Sequence, residues 1–296
     1  MNLRDNRGSV LVAILFLAGL LTVLASVAAS VLYAAVDSSR VFAENVRAKE
    51  AMTAAIEQIV GYTGSNLQEI RGTAIVRVSS AEVMIAVKDE GGRIDLNQAP
   101  APLLSGIFRA VGVDQKAADS YAARIVDWRD PDDKTSQNGG AEKDVYRAAG
   151  RVDGPRNGPF LHVGELALVM GIPAKAAAAV APYVTVASGR ETINPMVADP
   201  PVLLALPGAT PDRVQSFLAE RIRPGAIAER LISRLGSVQD FVGEDTGDAV
   251  RFEGRVILAP GNERRFEVVA AVVGGDTEPY RILSWDSNPP DRIRAP

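Results

Sequence analysis

From Ser9 to Val36 the chain carries no charged residue, and no other feature constrains its fold so tightly. At about 1.5 Å per helical residue, such a run outreaches the roughly 30 Å hydrocarbon core of a bilayer. A secretory signal has a shorter apolar stretch, about 7–15 residues, followed by a small-residue cleavage site. Here the run passes through Val31, Leu32, Tyr33 and Val36 into VFAENVRAKEAMTAAIEQIV, which has no proline or glycine from Val41 to Val60. One helix is therefore expected to begin in a membrane and continue into water. Arg4 and Arg7 precede the run, which favours a cytoplasmic N-terminus and a body on the far side of the membrane.

Beyond that helix the texture changes twice. GYTGSNLQEIRG reads as a turn-rich connector, and TAIVRVSSAEVMIAVKDEGG as an antiparallel hairpin around Ser79-Ser80-Ala81. Val76, Val78, Val83, Ile85 and Val87 alternate with polar or small residues, so one face is expected to be buried. From Gly91 to about Val242 the chain is alanine-rich and helical, punctuated by proline and glycine. Strand patterns return in RFEGRVILAP, RRFEVVAAVVGG and YRILSW, separated by Gly-Asn and Gly-Gly-Asp turns. A lone hairpin is only marginally stable in water, so the two groups of strands are expected to pair into one sheet against the water-exposed half of the long helix. The fold expected is α+β, with a large helical domain inserted between strands. Its segments are a leader 1–8, a helix 9–62, a first sheet part 63–90, the helical insert 91–242 and a second sheet part 243–296.

Composition removes several kinds of chemistry. The chain has 296 residues, no cysteine and a single histidine, so thiol–histidine catalysis and zinc sites needing two such ligands are excluded. There is no G-x-x-x-x-G-K phosphate loop and no G-x-S-x-G elbow. The net charge of −4 supplies no global basic field for nucleic acid. His162 reads as a packing or surface residue and Trp128 as a core anchor for the loop that follows it.

The helical insert contains a repeat. RIDLNQAPAPLL and TINPMVADPPVLLAL align with Ile94 on Ile193, Asp95 on Asn194, Leu103 on Val202 and Leu104 on Leu203. An apolar anchor followed by a side-chain cap before a helix explains both copies. Each is followed by a glycine turn and another helix, in the manner of a helix-hairpin-helix. DNA-binding hairpins of that style offer a Gly-x-Gly turn to phosphates. The turns VGVD and LPGAT lack the second glycine and Asp114 would face the phosphate, so no nucleic-acid partner is expected.

The densest chemistry is DWRDPDDKTSQNGGAEKDVY, which gathers Asp127, Asp130, Asp132, Asp133, Glu142 and Asp144 against Arg129, Lys134 and Lys143. Crowded carboxylates repel, and a hard divalent cation relieves them. Ca²⁺ accepts six to eight oxygens, and Asp130, Asp132, Glu142 and Asp144 could supply four. Asp127 reads as a local cap or supporting partner and Asn157 as a carbonyl donor. A solvated polar loop without metal is the alternative, and the spacing is not that of an EF-hand.

Several motifs together resemble one family, the minor pseudopilin K of type II secretion systems, a branch of the type IV pilin-like proteins. The leader ends MNLRDNRG, and RIDLNQAPAPLL, ARIVDWRDPDD, GGAEKDVY, NGPFLHVGEL and PYVTVASGRETIN follow in the family's order. Most pilins and pseudopilins carry glutamate as the fifth mature residue. Here that position is Ala13, and K is the member that typically lacks the glutamate. Val145 stands where a second tyrosine is common beside Tyr146. The resemblance implies cleavage by prepilin peptidase between Gly8 and Ser9, and retention in the inner membrane with a periplasmic body. It also implies calcium bound in the helical domain, and a place at the pseudopilus tip with minor pseudopilins I and J, beside the other pseudopilins. The alternatives are a minor type IV pilin in adhesion or DNA uptake, and a membrane-anchored hydrolase using paired carboxylates.

Overall fold

The computed structural model describes residues 6–63, 72–223, 225, 227–244, 247–272 and 280–289. Helix α1 runs from Asn6 to Thr63, so the first residues read as connector continue the helix, and the rest of that connector, 64–71, lies outside the described residues. Its first part is long and apolar enough to cross a membrane, and its large apolar side chains from Val10 to Val46 stay exposed against the rest of the chain. Only in its last turns does α1 pack. Ala48, Ala51, Met52, Ala55, Ile56, Ile59 and Val60 are buried, an i, i+3, i+4, i+7 stripe whose opposite face is charged.

That stripe covers one antiparallel sheet in the order β1-β2-β5-β6-β7, formed by Gly72–Val78, Ala81–Asp89, Ala249–Ala259, Asn262–Val272 and Tyr280–Asp286. The expected hairpin turns at Ser79, which takes a positive φ of 52°, and pairs Val78 with Ala81 and Val76 with Val83. Strand β2 then pairs with β5, Val87 opposite Phe252, so the two strand groups do join into one sheet. Val83, Ile85, Val87, Phe252, Val256, Phe266 and Val268 form the core beneath α1. Gly254 faces Met52 of α1, where a Cβ would overlap the sulfur. The second turn of the C-terminal strands, Gly274-Gly275-Asp276, lies outside the described residues.

The helical insert leaves the sheet at Glu90 and returns by Ala249. Its elements are β3 (Ile94–Asp95), α2 (Ala101–Ala110), α3 (Gln115–Arg129), α4 (Lys143–Ala148), α5 (Ala174–Val180), β4 (Val184–Thr185), α6 (Pro200–Leu204), α7 (Pro211–Arg221) and α8 (Ala228–Ile232). The repeat read from the sequence is a repeat in space. Ile94 and Ile193 are both buried, and the Asp95 and Asn194 side chains accept from the backbone N–H groups of Asn97 and Met196, two residues on. Each unit closes with an arginine at the end of its second helix: Arg129 donates to the carbonyls of Leu96 and Ala99, Arg221 to those of Pro195 and Ala198. The copies meet where α2 crosses α6, with Gly106 against the carbonyl of Ala205, positions related by the same offset as Ile94 and Ile193. The parallel pairing of β3 with β4 was not expected; two residues per strand are too few to leave a pattern.

Sheet and insert are joined through buried charge. Glu90 lies between Arg93 and Arg251, Arg93 also reaches Glu267 at 3.3 Å, and Arg251 and Lys88 flank Glu253. Buried ions of this kind hold position more than they add stability, because desolvation offsets most of their attraction.

Candidate functional site

The acidic loop leaves the end of α3 and returns at the start of α4. Asp127 lies on α3's apolar face, one turn after the buried Ala123, and is fully buried. Its carboxylate accepts the Ser136 N–H at 3.1 and 3.2 Å. Gly140 permits that closure, since a Cβ there would overlap the Asp127 carboxylate. Ser120 and Arg124 of α3 both donate to the Gly139 carbonyl at 3.0 Å. Trp128 is buried and stacks on Phe160, ring centroids 5.8 Å apart, while Gly158 N–H donates to the Trp128 carbonyl. The loop is thus pinned on both sides, with Asp127 and Glu142 buried and Asp132, Asp133 and Asp144 left exposed. His162 is exposed, with Nδ1 accepting from Gly164 N–H.

Glu142 sits at the N-cap position of α4 but makes no capping hydrogen bond. Its side chain is buried, and neither oxygen has a hydrogen-bond partner. Oδ1 of Asp130 and Oδ1 of Asn157 are likewise buried and unpartnered. Burial first, and then the charges of Asp127, Asp130, Asp133 and Asp132, push the Glu142 carboxyl up to about 7. Burial and the neighbouring Asp127 and Asp132 also raise Asp130. Asn157 takes a positive φ of 50° and donates through Nδ2 to the Asp132 carbonyl and to Asp133, so its amide oxygen points away from those groups.

The residues expected from the sequence divide into two sets. Asp130, Asp132 and Glu142 act on one another across the loop. Asp144 stands apart, its side chain 92% exposed and paired with Arg147 at 2.8 Å. Asp127 and Asp133 join the cluster instead. The sign for Asp127 was its helical spacing from Ala123, which puts an acid on a buried face. Among the described residues no three acidic or histidine side chains are already drawn together as a closed metal-ligand set. A buried carboxylate without a donor costs about 1–3 kcal/mol or more, and like charges add to that. Such a constellation can take up a hard cation or hold a proton.

Residues 81–189, which hold this loop and the first repeat unit, match the family model of type II secretion system (T2SS), protein K. The chain is also similar to the crystal structure of the GspK-GspI-GspJ complex from the enterotoxigenic Escherichia coli type 2 secretion system. The TM-score is 0.60 at 13% identity, covering 85% of this chain and 99% of that one. Likeness at that identity speaks to the fold alone. No protein of curated function matches the chain. The resemblance read from the motifs is borne out.

Proposed function

We infer that the chain works as a minor pseudopilin of a type II secretion system, supporting export of folded proteins across the outer membrane. The observation that carries this reading is the protein K match over residues 81–189, in a chain whose α1 and sheet supply a filament-forming frame. The first part of α1 anchors it in the inner membrane, and the basic leader favours a periplasmic body. Prepilin peptidase cleaves between Gly8 and Ser9 and leaves α1 on the mature protein. GspK in the similar structure is found with GspI and GspJ, and minor pseudopilins I and J of the same system are the partners assigned here. Ala13 supports a place at the tip. Without a carboxylate at that position the helix cannot neutralise the N-terminal amine of a neighbour above it, and a helical insert of this bulk leaves no room for one.

Calcium is the ion that fits the acidic loop. Asp130, Asp132, Glu142 and the Asn157 amide oxygen would hold it, with Asp127 positioning the Ser136 turn beneath them. Asp144 would join only by releasing Arg147. The ion would supply the positive charge that the buried oxygens lack, and Ca²⁺ suits a flexible loop rich in oxygen ligands.

Extraction of the full chain from membranes with its co-expressed I and J partners tests the assembly. The expected product is a complex with one copy of each, in which the mass of this subunit places its N-terminus at Ser9. An N-terminus near Ala29, or long filaments of this chain alone, would contradict the reading.

A further inference from the structure

One end of the sheet is fastened to α1 close to where the chain leaves its uncharged run. Arg264 Nε donates to the Asn45 side chain at 2.8 Å, and the same guanidinium lies 3.6 Å from Glu44. Deeper in the body Met52 of α1 faces Gly254, so passing from Met52 to Asn45 moves along the β5–β6 hairpin toward its turn. Asn45 is nine residues, about 13 Å, beyond Val36, the last residue of the uncharged run. Arg264 is three residues, about 10 Å, from Gly261 in the turn Pro260-Gly261. That turn therefore points back along α1 and ends within about one helical turn of the level of Val36. Glu82 of β2 pairs with Ile257 of β5, which sets the Ser79-Ser80 turn beside it. The insert leaves the opposite end of the sheet, where Asp89 pairs with Val250.

The uncharged run fixes where a membrane surface stands. Leu32, Tyr33 and Val36 are exposed against the rest of the chain, Tyr33 by 77%. A bilayer covers them only if its surface lies close to Val36, and tyrosine is at home at that interface. The run amounts to about 42 Å of helix against a core of about 30 Å, and a span of that length is accommodated by tilting. Headgroups add roughly 5–8 Å on each side, so both turns stand at their height. The arginines nearest the turns are each matched by a carboxylate: Arg77 by Glu82, Arg255 by Glu263 and Arg264 by Glu44. With the exposed hydroxyls of Ser79 and Ser80, this end offers hydrogen-bond donors without a large net charge. Such a surface suits the phosphate that every phospholipid carries, rather than a lipid of one charge.

We propose that, before it enters a pseudopilus, the anchored chain rests with its Ser79-Ser80 and Pro260-Gly261 turns on the phospholipid headgroups of the membrane that α1 crosses. This rests on the membrane anchoring proposed above. The contact is continuous with the lipid around α1, and the tether makes it intramolecular in effect, so weak individual contacts suffice. Entry into a filament lifts the turns from the lipid. Assembly thus starts from a body held against the membrane.

The chain has no cysteine, so single thiols can be introduced cleanly. Full-length Ser80→Cys, Pro260→Cys, Tyr33→Cys and Tyr62→Cys are each labelled with a fluorophore and placed in bilayer discs, one copy per disc so that no second chain covers the turns. The discs are made of phosphatidylcholine, alone or mixed with phosphatidylglycerol, and carry a nitroxide quencher on the lipid headgroup. Tyr33 reports the anchoring, and Tyr62, 91% exposed, lies about 39 Å beyond Val36 on the same helix. Labels at Tyr33→Cys, Ser80→Cys and Pro260→Cys are expected to lose at least half their fluorescence in both lipid mixtures, and that at Tyr62→Cys less than a tenth. A quenched label at Tyr33→Cys with both turn labels as bright as that at Tyr62→Cys overturns the resting contact and leaves the anchoring intact. A bright label at Tyr33→Cys overturns both. Quenching at the turns only where phosphatidylglycerol is present would make this a charge-selective surface and also overturn the proposal.

Discussion

Gly106→Ala is expected to unfold the helical insert at a temperature lower by about 6 °C or more, although alanine is the better helix former by roughly 1 kcal/mol. At Gly106 an added Cβ would overlap the backbone carbonyl of Ala205, where α2 crosses α6. A flexible side chain could rotate away from such an intrusion; a carbonyl fixed in a neighbouring helix cannot. The two repeat units would have to separate, opening the core that Leu103, Leu104, Val202 and Leu203 share. Overpacking of this kind costs about 1–3 kcal/mol and more against backbone. Gly61→Ala is the control, since nothing lies within 4 Å of the added carbon. It should melt at or slightly above the native temperature. Fluorescence of Trp128, buried in the insert, follows the transition in detergent-extracted protein. Equal melting of Gly106→Ala and the native chain would refute the close crossing.

Calcium at millimolar concentration is expected to raise the same transition by about 5–11 °C over protein in chelator. A ligand bound only by the folded form contributes about 2.7 kcal/mol at a hundredfold excess over Kd, and each kcal/mol moves a domain of this size by about 2–4 °C. Mg²⁺ should do much less, because it demands tight octahedral geometry and gives up water reluctantly. Asp132→Ala and Glu142→Ala should abolish the gain, and Asp212→Ala, on α7 away from the loop, should keep it. The metal-free protein should show its own pH dependence. Glu142 holds its proton up to about 7 in the folded state, whereas the unfolded chain releases it near 4.5. The native state therefore binds more protons between those values, and stability in chelator should fall as pH rises through that window. Glu142→Gln should flatten the fall. Identical melting with calcium and with chelator, in protein freed of metal beforehand, would return the loop to a plain polar role.

Much of this architecture was legible because it rests on long, periodic patterns. The uncharged run from Ser9 foretold α1, and the alternation of Val83, Ile85 and Val87 foretold the buried face of β2. Pairing of β2 with β5 followed from the weakness of a lone hairpin, and the repeat from the matching isoleucines and their caps. What escaped was set by tertiary context. The arginines that close each repeat donate to carbonyls 23 to 33 residues earlier, and nothing local marks them. Asp144 looked equivalent to its neighbours until α4 turned it outward beside Arg147, whereas α3 carried Asp127 inward. The pocket lined by Phe160 of the insert and Leu283 of β7 could not be read at all, since those residues come to one cleft only when insert and sheet fold together.

The most direct test of the central claim is export itself. A strain lacking this gene, with the rest of its type II secretion system intact, is fractionated for proteins that system normally releases. The account predicts that they fold and accumulate in the periplasm, and that the full-length chain restores their release. Undiminished release without this chain would contradict it.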